Sequence, residues 1–221
     1  MRASLVGLSV LAMAACSSTP ERQGPVAPMK NLPRASADQG PFQPNLNLFV
    51  CQMQVSNRPA TDAADMILNY SPMVVANGVP VASAPVNDAC LSSGFGMRNG
   101  RMHKGIDLFS NPAGTIYSAA PGVILEVSEL SGYGYQVLID HGRGVYTRYA
   151  HLESFTPDTV PGARVGFGVP LGLMGRTGNA TGIHLHYEVL TGDYNTPKKS
   201  WGLKPHNALA LPAWTGLSGA V

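Results

Sequence analysis

The fold is decided by residues 135–151, Tyr135-Gln-Val-Leu-Ile-Asp-His-Gly-Arg-Gly-Val-Tyr-Thr-Arg-Tyr-Ala-His151. Two runs rich in β-branched, aliphatic and aromatic residues, 135–140 and 144–151, flank the sequence His141-Gly-Arg-Gly144, which is typical of a hairpin turn. The stretch therefore predicts two antiparallel strands. It also places His141 in the turn rather than in a binding site.

Short runs of the same kind continue on both sides of this hairpin, separated by glycine-rich turns. They cover residues 105–109, 115–118, 122–127, 169–174 and 184–190. Among them no stretch of convincing length has the 3.6-residue period of a helix. The pattern predicts an all-β main domain over residues 91–209, built as a compact two-sheet antiparallel β-sandwich or open barrel.

The composition fits one folded domain with an extension. The chain has 221 residues, 44% of them hydrophobic and 13% charged, and a net charge of +2. The hydrophobic content is ample for one core. The low charge leaves no basic stripe of the kind that binds nucleic acid. We therefore expect no nucleic-acid partner. A monomer is the expected state, although the composition leaves the oligomeric state open.

The first residues resemble a bacterial lipoprotein signal. Met1-Arg2 is a short basic region, residues 5–15 form an apolar run too short to span a bilayer, and Ala14-Ala15-Cys16 resembles a lipobox. The resemblance implies a signal peptide over residues 1–15 and a lipid on Cys16, although Met13 departs from the usual pattern. Ordinary secretion is the alternative. Ser17 fits lipoproteins of the outer membrane, so we expect an anchored protein facing the periplasm.

Three further segments complete the predicted organisation. Residues 16–47 are rich in proline and poor in large apolar residues, which predicts a disordered tether. For residues 48–90 we predict an N-terminal extension that packs on the main domain. The pattern of this segment indicates a strand at 48–55 and a helical turn or two at 63–69. Residues 210–221 form a C-terminal tail.

Two cysteines remain if Cys16 is lipidated. Cys51 and Cys90 would then lie in a compartment that permits disulfides, and we expect them to pair with each other. The bridge would fasten the N-terminal extension to the main domain. The alternative is two buried free thiols.

Four of the six histidines are placed as a metal site requires. His103 and Asp107 are four residues apart, His184 and His186 would share one face of a strand, and His151 lies between the two clusters. Each pair alone is modest support, but imidazoles and a carboxylate together are ligands that Zn²⁺ accepts. Their conjunction predicts a catalytic zinc site with one position open to water.

Six stretches also match one known family in order and spacing. They are Ser92-Ser-Gly-Phe-Gly-Met-Arg98, His103-Lys-Gly-Ile-Asp107, Gly132-Tyr-Gly134, Ile139-Asp-His-Gly142, Tyr149-Ala-His-Leu152 and Thr177-Gly-Asn-Ala-Thr-Gly-Ile-His-Leu-His-Tyr-Glu188. They closely resemble the lysostaphin/LytM-type zinc metallopeptidases over residues 91–209. The resemblance implies a fold of two antiparallel sheets of the duplicated hybrid motif type, and a substrate in the peptide cross-links of bacterial peptidoglycan.

The resemblance also implies a role for each residue. His103, Asp107 and His186 would bind zinc, while His151 and His184 would flank its open side. The family motif His-Glu-x-x-His of other zinc peptidases is missing, so His151, His184 or both must handle protons or stabilise the oxyanion. Glu188 has two readings, a hydrogen-bond partner of a ligand imidazole or a surface glutamate.

Two departures from the family pattern concern the groove. Tyr135 stands where the family often has Asn, and the segment 193–204 is longer than usual. Neither touches an implied ligand, but both leave open which cross-link is cut.

The sequence therefore predicts a zinc-dependent endopeptidase that remodels the cell wall, with a regulatory protein partner as a possibility. The alternative is a non-catalytic, peptidoglycan-binding lipoprotein that activates a cell-wall amidase; such proteins typically lack zinc ligands, which are complete here. A periplasmic metal carrier would leave the other motifs unexplained. Whether residues 48–90 regulate access to the groove stays open.

Overall fold

Strands make up nearly all the regular structure in residues 32–34, 40–98 and 100–216, the residues that the computed structural model describes. Within them there are two short 3₁₀ helices, Lys199–Gly202 and Ala208–Ala210, and no α-helix. The strands are β1 (Phe49–Val50), β2 (Met73–Ala76), β3 (Val79–Ala82), β4 (Cys90–Ser93), β5 (Gly96–Arg98), β6 (Arg101–His103), β7 (Ile106–Phe109), β8 (Thr115–Tyr117), β9 (Gly122–Leu130), β10 (Gly134–Asp140), β11 (Val145–Phe155), β12 (Arg164–Val165), β13 (Pro170–Met174), β14 (Leu185–Thr191) and β15 (Lys204–His206). The predicted all-β class is confirmed.

The strands form one large sheet and two hairpins. The large sheet has the order β1-β4-β7-β14-β11-β10-β9-β12, with β13, β8 and β15 attached beside this path. Its pairs are antiparallel, apart from β1 and β4, which run parallel. β2 pairs with β3, and β5 pairs with β6. The predicted hairpin of residues 135–151 is the β10–β11 pair at the centre.

Strand β11 joins the two layers of the fold. Residues Val145–Ala150 pair with β14, whereas Leu152–Phe155 pair with β13, which continues to β8. The change of neighbour occurs at His151, whose φ is +63°. Because β11 belongs to both layers, the expected sheets are connected by hydrogen bonds into a single branched sheet of eleven strands.

The central strands are buried on both faces. On β14, Leu185 and Tyr187 point into the main core, while Leu190 packs on the opposite side in a smaller cluster with Leu203. Leu203 lies near the end of the longer segment 193–204, which packs on this second face through Leu203 and Tyr194. The buried polar residues His186 and Glu188 of β14 and Arg148 of β11 lie on the same side as Leu190.

The N-terminal extension is fastened to the sheet at several points. Cys51 and Cys90 form a disulfide, as predicted. β1 extends the sheet by pairing with β4. On the β2–β3 hairpin, the Ala82 carbonyl oxygen accepts a hydrogen bond from the Tyr187 hydroxyl at 2.8 Å. The hairpin is therefore in contact with the central strand β14.

The local structure of the extension differs from the sequence expectation. The strand expected at 48–55 is limited to β1, since a turn follows Cys51. The helical turn expected at 63–69 does not form. The carboxylate of Asp62 accepts hydrogen bonds from the amides of Ala64 and Met66, each at 2.9 Å, and Asp65 has a φ of +64°. These local bonds compete with helix formation.

Several predicted segments fall outside the described residues. They include the signal peptide 1–15, Cys16, the end of the tail 210–221, and the tether 16–47 except for residues 32–34 and 40–47. Phe42, assigned to the tether, stacks on Tyr117 with ring centres 5.1 Å apart, because it finds an apolar surface on the domain. In the described part of the chain, no helix has the length and apolar character needed to cross a membrane.

The disulfide is expected to stabilise the whole domain. Its cysteines are 39 residues apart, so the bridge removes considerable freedom from the unfolded chain. Replacing both in Cys51→Ala/Cys90→Ala should lower the free energy of unfolding by about 2–4 kcal/mol. Denaturant titration of parent and variant measures this difference. Equal denaturation midpoints for parent and variant would show that the bridge contributes nothing to stability. In a separate check, thiol labelling of the unfolded, unreduced parent should detect no free thiol at Cys51 or Cys90.

Candidate active site

Three donor atoms from three strands meet near one end of β14. His103 ends β6, Asp107 lies in β7 and His186 lies in β14, where His186 is the direct cross-strand partner of Asp107. Nε2 of His103 is 3.0 Å from Oδ1 of Asp107 and 3.0 Å from Nδ1 of His186, and the last two atoms are 2.9 Å apart. All three residues are buried. The geometry therefore brings together the three predicted ligands.

The far nitrogen of each imidazole has a fixed acceptor. Nδ1 of His103 donates to the carbonyl oxygen of Gly94 at 2.7 Å, and Nε2 of His186 donates to Oε1 of Glu188 at 3.1 Å. In the neutral rings, the nitrogens that face Asp107 therefore carry lone pairs rather than hydrogens. Both tautomers are those that can bind a metal ion.

The three donors form a group that can hold a metal ion. Donor atoms that share a tetrahedral ion at about 2.0–2.1 Å lie roughly 3.3 Å from one another, and the observed separations of 2.9–3.0 Å are close to this value. Without a cation, two lone pairs and a carboxylate oxygen would repel one another. The residues therefore fit a cation, and two nitrogen donors with one oxygen donor suit zinc.

The raised pKa of His186 also shows that positive charge is favoured among the three donor atoms. Burial lowers this pKa, but the hydrogen bonds with Asp107 and Glu188 and the charges of these carboxylates outweigh burial and raise it to about 9. Burial raises the pKa of Asp107, yet the bonds with His103 and His186 hold it well below its usual range. Asp107 is thus an ionised carboxylate, and a cation at the donors replaces the proton that His186 would otherwise take up.

Two further imidazoles lie beside the donors. The ring centres of His151 and His184 are 4.8 Å apart, and Nε2 of His184 is 3.7 Å from Oδ1 of Asp107. Nδ1 of His184 donates to the Gly182 carbonyl at 2.9 Å, and Nδ1 of His151 donates to the Thr177 carbonyl at 2.8 Å. In each neutral ring Nε2 therefore keeps its lone pair.

His151 is held uncharged in this position. Burial lowers its pKa to about 4, and the charges of the neighbouring His184 and His186 contribute in the same direction. Its backbone amide donates to the Tyr133 carbonyl at 2.9 Å. His184 is not part of β14, which begins at Leu185, but it forms a single bridge with Gly175. His151 thus lies within β11 and His184 just before β14, and loop carbonyls fix both rings.

Glu188 is a hydrogen-bond partner of His186 and not a surface residue. Its side chain is fully buried. Oε1 accepts hydrogen bonds from His186 and from the Tyr133 hydroxyl, the latter at 2.8 Å, and Oε2 accepts one from Arg148 at 3.1 Å. Burial raises the pKa of Glu188, but the bond from His186 and the charges of His186 and Arg148 lower it to about 2.

Arg148 and Tyr133 were missed by the sequence analysis. Arg148 is 2% exposed, and its guanidinium carbon lies 4.5 Å from the centre of the Tyr133 ring. The signal that could have found Arg148 is cross-strand register, since Arg148 pairs with Glu188 and Ala150 pairs with His186 along β11 and β14. Those partners become visible only when the two strands are aligned.

The remaining two histidines lie outside the site. His141 is in the turn after β10, where its ring nitrogens contact the Pro121 carbonyl at 2.8 Å and the Thr147 hydroxyl at 2.7 Å. His206 on β15 contacts the Thr191 hydroxyl at 2.7 Å. Both serve the packing of strands and turns.

Comparison with known proteins identifies this region. Residues 101–197 match the model of peptidase family M23. The chain contains a peptidase family M23 domain. The donors His103, Asp107 and His186 and the adjacent His151 and His184 all lie within the matched residues, so the family resemblance seen in the sequence is confirmed.

The relatives of the M23 domain are bacterial. Over 105 residues the chain is 42% identical to the protein named DD-carboxypeptidase/endopeptidase Mpg from Neisseria meningitidis serogroup B, a match covering 44% of this chain and 24% of that protein. Over 89 residues it is 39% identical to peptidoglycan DD-endopeptidase ShyA from Vibrio cholerae, covering 40% of this chain and 20% of that protein. The chain thus spans a quarter or less of these relatives.

A solved structure shares the fold. A zinc containing peptidase from Vibrio cholerae superposes with a TM-score of 0.51 at 25% identity, covering 64% of this chain and 46% of that chain. The agreement in fold extends beyond the residues that match the family model.

Replacing Glu188 by a neutral residue tests whether its hydrogen bond with His186 contributes to metal binding in the M23 domain. Glu188→Gln leaves Arg148 buried without its counter-charge and offers His186 a weaker acceptor, so affinity for a metal ion, with Zn²⁺ as the probe, should fall about 10- to 100-fold. Chelator competition measures the affinity. Glu126→Gln is the matched control, because Glu126 also accepts from a tyrosine hydroxyl, Tyr194 at 2.9 Å, but has no contact with the donors. Equal affinities of the two variants would contradict the assigned role.

Proposed function

We propose that the chain is a zinc-dependent endopeptidase that hydrolyses peptide cross-links of bacterial peptidoglycan during cell-wall remodelling. The proposal depends on one observation above all: His103, Asp107 and His186 converge as a three-donor group, with two further imidazoles beside it. The M23 match and the names of the relatives support the peptide-bond chemistry and the substrate.

His103, Asp107 and His186 would hold the zinc ion. When bound to three protein ligands with one position open, zinc supplies a Lewis acid that polarises a carbonyl and lowers the pKa of water towards roughly 7. The protein residues have complementary tasks. Gly94 and Glu188 hold the imidazoles of His103 and His186 in the binding tautomers.

Proton transfer falls to His151 and His184. Glu188 cannot serve as the general base, because both of its oxygens accept hydrogen bonds and its side chain is fully buried. His151 and His184 each have Nδ1 bound to a carbonyl, so Nε2 is the atom that accepts or donates a proton, or that donates to the oxyanion once protonated.

Exposed apolar side chains near the histidines suit a peptide substrate. Met97 and Met102 face each other on the β5–β6 hairpin that ends at His103 and are 62% and 41% exposed. Ile183, next to His184, is 48% exposed. Peptide-binding grooves combine such apolar walls with a few fixed polar groups. We assign these side chains to the walls of the groove.

We also propose a location in the cell envelope. A lipid on Cys16 would anchor the protein in the outer membrane, where the protein would face the periplasm. The tether would let the domain reach peptidoglycan. A regulatory partner would control the lytic activity. The amidase-activating alternative is not adopted, because all three donors are together.

Histidine variants test the assignment of roles. His186→Ala removes a ligand and should abolish zinc binding and peptidoglycan cleavage together. His151→Ala should keep the metal and lose at least about 100-fold in rate, the scale of one positioned acid–base group. Analysis of the released muropeptides, with parallel chelator competition for zinc, measures both quantities.

The control for these variants is His206→Ala, since His206 lies on β15 outside the site. It should keep both zinc affinity and rate near those of the parent. Loss of zinc from His151→Ala would refute the division of roles, and cleavage that continues after complete removal of metal would refute the proposed function.

A further inference from the structure

A short segment ahead of the M23-matched region runs beside strand β4. This segment, residues 51–57, is held at its start by the disulfide between Cys51 and Cys90. Near its end, the carbonyl oxygen of Ser56 accepts a hydrogen bond from the backbone nitrogen of Gly94 at 2.8 Å. The segment is therefore fixed against β4 at two points.

The segment touches the group that orients His103. Asn57 donates from Nδ2 to the Gly94 carbonyl at 3.4 Å, and the same carbonyl accepts the 2.7 Å bond from Nδ1 of His103. The backbone of Asn57 also lies so close to Gly94 that a Cβ there would overlap the Asn57 carbonyl oxygen. Gly94 is thus held from one side by Asn57 while it holds His103 on the other.

A second path leads from the segment to Asp107. The Ser93 hydroxyl donates to the Ser56 carbonyl at 3.5 Å and accepts a hydrogen bond from Arg98 at 2.6 Å. The same nitrogen of Arg98 is 3.4 Å from Oδ2 of Asp107, the carboxylate oxygen turned away from the two imidazoles. The positions of two of the three donors therefore depend on groups that the segment contacts.

We propose that Ser56 and Asn57, clamped by the Cys51–Cys90 disulfide, are positioning residues of the metal site. The M23 domain of this chain then needs residues ahead of the matched region for full metal affinity, and that affinity depends on the oxidation state of the disulfide. Partners that touch a ligand directly contribute about 10- to 100-fold to metal affinity. Asn57 acts one contact further out, so its contribution is about 3- to 10-fold. The inference rests on the metal site proposed above.

Asn57→Gly in the full chain tests the proposal. Asn57 has a φ of +50°, which glycine adopts without strain, so the variant removes the side chain and keeps the backbone shape. Asn77→Gly is the matched control. Asn77 has a φ of +44° and also donates from Nδ2 to a carbonyl at 3.4 Å, that of Arg143, at a turn that has no contact with the site.

Zinc affinity, measured by chelator competition, is the deciding readout. Asn57→Gly should bind zinc about 3- to 10-fold more weakly than Asn77→Gly, while the metal-free proteins unfold at similar temperatures. The visible absorption of bound Co²⁺ should also change in Asn57→Gly alone, because it reports the arrangement of the ligands.

A variant without the disulfide provides a second, independent test. Cys51→Ala/Cys90→Ala releases Ser56 and Asn57 together, so it should lose at least as much zinc affinity as Asn57→Gly, about 3- to 10-fold, and unchanged affinity would overturn the role of the clamp. If the parent binds zinc and Asn57→Gly binds it as tightly as Asn77→Gly, the positioning role is refuted and the proposed function stands. If the parent itself binds no zinc, the proposed function fails and this inference fails with it.

Discussion

The structure depends on the close approach of two imidazole nitrogens and one carboxylate oxygen. These atoms of His103, His186 and Asp107 lie 2.9–3.0 Å apart in a buried place, although all three are electron-rich. The arrangement is stable only if a positive charge lies among them and if each ring is turned so that its lone pair faces inward. The neighbouring structure meets the second condition, because the Gly94 carbonyl and the Glu188 carboxylate take the hydrogens of the outer nitrogens.

The buried charges near the donors explain the first condition. Asp107 and Glu188 are two buried anions, while Arg148 is one buried cation paired with Glu188 at 3.1 Å. Arg98 lies 3.4 Å from Oδ2 of Asp107 but is partly exposed to solvent, so it offsets the charge of Asp107 only in part. Negative charge is therefore left at the donors once Arg148 and Glu188 balance each other. An uncompensated buried charge is strongly destabilising. A cation bound by the three donors removes that penalty, so the remaining charge of Asp107 on β7 favours the occupied site.

Sequence patterns predicted the parts that depend on short-range order. The spacing of His103 and Asp107, the alternation around His186 and the 135–151 hairpin all follow from neighbours along the chain. Arg148 could not be assigned in this way, because its partner Glu188 is 40 residues away and is set by strand register. The contact of Asn57 with Gly94 joins a loop to a strand end, for which the sequence carries no periodic signal. The failed helix at 63–69 shows how a single carboxylate, that of Asp62, redirects nearby amides.

The branch in strand β11 explains how His151 reaches the site. In a regular strand, His151 would share the face of Tyr149, which points into the main core. The register between β10 and β11 shifts here, since Tyr135 pairs with Leu152 but Val137 pairs with Tyr149, which leaves one extra residue in β11. Such a bulge redirects side chains, and the left-handed φ of His151 costs of order 1–3 kcal/mol. Glycine would relieve that strain but has no imidazole. The backbone is strained at the one point where straight pairing would have turned the ring away from His184 and into the core.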